Sequence, residues 1–120
     1  MTPVATASTQ MAALAEPSAE DIAYIMEDLG DQIAILAAHV HAATHRLLTL
    51  IAEFDRLQGW ERAGFRSCAH WLAFRTGFDL GAAREKVRAA RALEALPETS
   101  AAMARGELSF AKVRALTRVA

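Results

Sequence analysis

Arg84, Arg88 and Arg91 have the charge and spacing to hold a polyanion. Four and then three residues apart, they fall on one stripe of a helix turning 100° per residue. Leu80, Ala83, Val87 and Ala90 share a different face of that helix, one suited to burial. Gly81, Ala92 and Ala95 lie near the stripe and are small enough to let it approach another surface closely. Like charges at i,i+4 cost a helix about 0.2–0.5 kcal/mol, and a phosphate backbone offsets that cost. The chemistry this implies is electrostatic binding of duplex DNA, with contacts in the major groove or on its flanking phosphates. Lys112, Arg114 and Arg118, further along, add secondary phosphate contacts. The alternative is a solvated basic face, neutralised by Glu94, Glu98 or another helix.

Other reactive side chains do not assemble into a site. His41 and His45 lie one helical turn apart, but two ligands do not make a metal centre. Cys68 and His70 are two residues apart with no third partner, so a half-buried cysteine is expected rather than a thiol nucleophile. There is no Gly-rich phosphate loop, no Cys-x-x-Cys pair and no carboxylate constellation. Neither a catalytic residue, a metal site nor a cofactor is expected.

The elements that position the arginines are legible from local signals. Ser67 caps a helix through Arg75, and Gly77 stops it in a left-handed conformation. Asp79 caps the arginine-bearing helix, which runs from Leu80 to about Leu93. Two helices joined by a few residues around a glycine form a helix-turn-helix pattern. Pro97 opens a third helix where no amide proton is needed, Gly106 ends it, and Ser109 caps a fourth.

Upstream, residues 1–17 are mostly Ala, Thr, Ser and Pro without period and predict a disordered leader, followed by a helical domain over 18–120. Ser18 with Asp21 makes a capping-box-like start. Ile22, Ile25, Leu29 and Ile33 then recur at helical spacing, and Gly30 either divides this stretch or weakens it. Ile33, Leu36, Val40, Ala43, Leu47, Leu50, Phe54 and Leu57 continue in alternating steps of three and four, a heptad seam. A helix from Asp31 to Gln58 is on the order of 40 Å long and must bury its seam. The basic half of the chain or a second copy, in a homodimer, would cover it, the first being preferred. Gly59 is expected to end this helix. Trp60, Phe65, Trp71, Leu72 and Phe74 then form a core where the long helix meets the short ones, a stacking platform for bases being the alternative.

At 120 residues the chain makes one small domain. Its net charge of −1 conceals an asymmetry: two basic against eight acidic residues through Gln58, eleven basic against six acidic from Gly59 onward. A basic second half fits a nucleic-acid contact. The single cysteine excludes an internal disulfide and fits a reducing cytoplasm. No window of eighteen uncharged apolar residues occurs, so no membrane span is expected.

The segments GW, GFRS before WL, VRAARALEALP and GELSFAKVRALTRVA resemble the domain of unknown function 222 (DUF222, the 13E12 repeat family). The resemblance runs from about Leu29 to Ala120, most specifically from Gly59. It implies the N-terminal part of bacterial HNH endonuclease-like proteins. More distantly, the helix-turn-helix followed by a Leu-Pro pair and a G-x-L-S step is similar to the DNA-binding domain of ParB-type partition proteins. The HNH motif itself is missing: the chain has no asparagine and no histidine after His70. Nuclease chemistry is therefore not expected of these residues, and a chain that continues past Ala120 is. The reading is an all-α domain, a long N-terminal helix plus short helices including a helix-turn-helix, that binds or positions DNA. A structural or oligomerisation module without nucleic-acid contact is the competing class.

Overall fold

A reciprocal cap starts the first helix. The Ser18 amide donates to Asp21 Oδ2 at 3.2 Å, and the Asp21 amide donates to Ser18 Oγ at 3.1 Å. In the computed structural model, which describes residues 16–119, this helix, α1, runs from Ala19 to Arg56 with no break at Gly30. The expected leader lies, up to residue 15, outside the described residues. The architecture is all-α. After α1 come α2 (Gly59–Arg62), α3 (Cys68–Thr76), α4 (Leu80–Leu93), α5 (Pro97–Ala104) and α6 (Phe110–Val119), with no strand among the described residues.

Two units divide the chain, the first ending at Ile35 and the second starting at Leu36. In the first, every described residue is exposed. The core of the second joins Leu48, Ile51 and Ala52 of α1 to Cys68, Ala69 and Leu72 of α3. Ala83, Val87, Ala90 and Leu93 of α4, Met103 of α5 and Val113 of α6 complete it. Helix α4 is its hub, packing against α3, α5 and α6.

The heptad seam does not coincide with this core, which corrects the expectation from spacing. Ile33, Leu36, Val40, Ala43, Leu50 and Leu57 are exposed, and only Leu47 and Phe54 reach the core, half-buried. The side of α1 withdrawn from solvent instead carries Ala37, Ala38, His41, Ala42, His45, Leu48, Ile51 and Ala52. Small side chains there admit close backbone approach. A Cβ on Gly106 would lie 2.5 Å from the Ala38 carbonyl oxygen. By length and composition α1 is apolar enough to cross a membrane, yet its C-terminal part supplies core residues.

Gly59 does not stop α1. The left-handed residue after Arg56 is Gln58, with φ 55°, and Gly59 opens α2. What Gly59 provides is room, because a Cβ would overlap the Phe54 ring. Of the aromatic group, Trp60 and Trp71 pack on the core, Trp71 with its ring centroid 4.0 Å from that of Phe54. Phe74 does not: it is 77% exposed.

The other local signals act as expected. Ser67 Oγ accepts from the His70 amide, Asp79 Oδ2 from the Gly81 amide and Ser109 Oγ from the Lys112 amide. Gly77 and Gly106 both have φ 81°, and Pro97 occupies the first turn of α5. Gly77, Phe78 and Asp79 alone join α3 to α4. The Lys86 ammonium lies over the rings of Phe78 and Phe110, 4.6 and 4.7 Å from their centroids, and ties α4 to the start of α6.

Candidate nucleic-acid interface

Burial of Ala83, Val87 and Ala90 fixes which way α4 turns its arginines. Arg84 and Arg91 are exposed, and Arg88 is half-buried. The three differ in their partners. Arg84 makes no ion pair among the described residues. Arg88 Nε donates to Glu85 Oε2 at 2.7 Å, its Nη1 to Thr117 Oγ1 at 3.2 Å and its Nη2 to the Arg114 carbonyl at 3.1 Å. Arg91 grips Asp55 with two hydrogen bonds of 2.6 and 3.0 Å.

Two acids therefore organise the basic surface. Glu85 also pairs with Arg118 and lies 3.9 Å from Arg114, so one carboxylate ties α4 to α6. Asp55, on α1, has a side chain only 13% exposed. Its hydrogen bond from Arg91 holds its carboxyl below the usual carboxylate range, against the opposing effect of burial. Of the neutralising groups that the sequence allowed, another helix supplies the acid for Arg91, Asp55 of α1, while Glu94 pairs with Arg56 at 3.1 Å.

Four of the six arginines and lysines singled out by sequence meet at one cavity of about 450 Å³. Arg84, Arg88, Arg91 and Arg118 line it, with Glu85 and Val87. Ser67, Cys68 and Ala69 bring the N-terminus of α3 to the same cavity. The first amides of a helix have no intrahelical acceptor, so this end adds positive potential to that of the arginines. Arg114 lines a separate cavity of about 470 Å³ with Asp79, Lys86 and Phe110. Lys112 is exposed and lines neither of these cavities. Sequence reasoning missed the α3 terminus and the anchors Asp55 and Glu85. The acid at 85, flanked by arginines at 84 and 88, was the available signal.

The remaining reactive groups are engaged or shielded. Burial, and next the charge of Asp55, push the Cys68 thiol up to about 11, far from the thiolate a nucleophile needs. Ser67 Oγ lies 2.5 Å from His70 Nδ1. His45 Nε2 is 2.7 Å from Ser100 Oγ, and no group of three potential metal ligands occurs among the described residues. What the arrangement offers chemically is guanidinium and helix-terminal N–H donors, the groups from which an anion accepts hydrogen bonds.

A family model described as a domain of unknown function (DUF222) matches residues 27–120. No curated protein and no solved structure matches the chain.

Proposed function

This chain belongs to the DUF222 family, and we propose that it binds duplex DNA, or positions it, as a module of an HNH endonuclease-like protein. The observation that carries the proposal is the cavity where Arg84, Arg88, Arg91 and Arg118 meet the N-terminus of α3. Helix N-termini and arginine forks both suit phosphate oxygens. The lengths of α3, the turn and α4 support a helix-turn-helix, with α4 as the element facing DNA. Arg84, with no acid to leave, makes the readiest contact. Arg91 is 61% exposed and reaches phosphate while keeping Asp55. Lys112 and Arg114 supply outlying contacts.

Fluorescence anisotropy with a labelled duplex at several salt concentrations tests this. Each arginine removed from a phosphate lowers the log–log salt slope by about 0.9. Arg84→Ala is expected to show that change, and Arg84→Ala with Arg118→Ala about twice as much, with circular dichroism unchanged. Absence of binding at low salt, or equal slopes for all variants, defeats the DNA reading.

A further inference from the structure

We infer that the exposed apolar stripe on the first part of α1 is a contact surface for a second copy of this chain. The inference is independent of the DNA reading. Its residues are Ile22, Ile25, Met26, Leu29 and Ile33, which are 48%, 49%, 65%, 49% and 69% exposed. Spacings of three, one, three and four put all five on one side of the helix. Together they present on the order of 500 Å² of apolar surface, at the upper end of what a monomer leaves uncovered. Two copies meeting on this stripe remove roughly 1,000 Å² from water, the threshold for a specific interface.

The occupant follows from where the charges sit. With Met26 and Ile33 at position a of a heptad, Ile22 and Leu29 fall at d and Ile25 and Gln32 at g. Ala23 and Gly30 fall at e. No charged residue stands at a, d, e or g. Glu20, Asp21, Glu27, Asp28 and Asp31 all occupy b, c or f, on the far side. Two copies can therefore meet without opposing like charges. A different helical partner selected by charge would need charged e and g positions to read, and this stripe offers none. Anionic surfaces are disfavoured as well, because residues 16–45 contain five further acidic side chains after Glu16 and no lysine or arginine. Two copies hold their carboxylates on opposite outer sides, away from the uncharged seam that they share.

Sedimentation equilibrium of the full chain, from about 1 to about 200 μM, reads the association by mass action. The average mass is expected to rise from that of one chain towards that of two. Met26→Glu with Ile33→Glu places carboxylates in the seam and should leave one chain at every concentration, with an unchanged helical spectrum. Tyr24→Glu, on the opposite side of the helix at a residue 73% exposed, should keep the dimer. A wild-type chain that stays single at the highest concentration overturns the inference. So does a dimer that persists in the double variant.

Discussion

Helices α1 and α4 both announce an apolar face by regular spacing. In α4, Ala83, Val87 and Ala90 are 0%, 4% and 2% exposed, and the remaining face is basic. In α1, Ile33, Leu36 and Val40 follow the more regular spacing and are 69%, 64% and 54% exposed. Periodicity thus identifies a helix and its faces, but not which face the fold uses. In α4 the apolar face is small and fits between three neighbouring helices. In α1 the large side chains stand off, while alanines, histidines and a few larger residues face the core of the second unit. The close approach of Gly106 to Ala38 shows why: backbones that near leave no space for leucine or isoleucine.

Truncations give the sharpest contrast between the two kinds of apolar position. Leu48→Ala and Met103→Ala, at residues 1% and 0% exposed, should each cost about 2–5 kcal/mol in urea unfolding. Ile25→Ala, measured where the chain is dilute, should change stability by less than about 0.5 kcal/mol. A loss at Ile25 equal to that at Leu48 would break the comparison. Next in size are the glycines. Gly77→Ala should cost about 1–2 kcal/mol, because φ 81° strains any side-chain-bearing residue and nothing else lies within 4 Å. Gly106→Ala has the same φ and also drives a Cβ into the Ala38 backbone, so its thermal unfolding temperature should fall further.

The smallest effect is the pH dependence of the link between α1 and α4. Arg91 holds the Asp55 carboxyl below its ordinary value in the folded chain. The resulting stability is fully present above that value and is lost as pH falls through the lower, folded one. Denaturation midpoints of wild type and Arg91→Met, followed into acid, should differ near neutral pH and converge at the acid end. Parallel curves would mean that the pair contributes no pH-dependent stability.

Caps and stops were legible because each is a local bargain between a side chain and the nearest amides or φ angle. Ser18, Ser67, Asp79, Ser109, Gly77 and Gly106 all act where the sequence puts them. Gly59 was misread because its role is set by the Phe54 ring above it rather than by its own backbone. The outward direction of Arg84 and Arg91 was legible from the wheel. Their unequal partners were not, since Asp55 comes from α1, 36 residues before Arg91. Arg118 joins them through Glu85, 33 residues away, a pairing no helical period encodes.

The bond from His45 to Ser100 spans 55 residues, and it has a bearing on how the chain assembles. Helices α3 and α4 meet across a turn of only Gly77, Phe78 and Asp79, so their pairing encloses almost no loop. Returning α5 to α1 encloses nearly half the chain, and the entropy lost in closing a loop grows with its length. Local contacts form early when non-local ones carry that burden. The α3–α4 pair is therefore expected to form before Ser100 and Gly106 seat on α1, with higher φ-values at Leu72 and Val87 than at Met103.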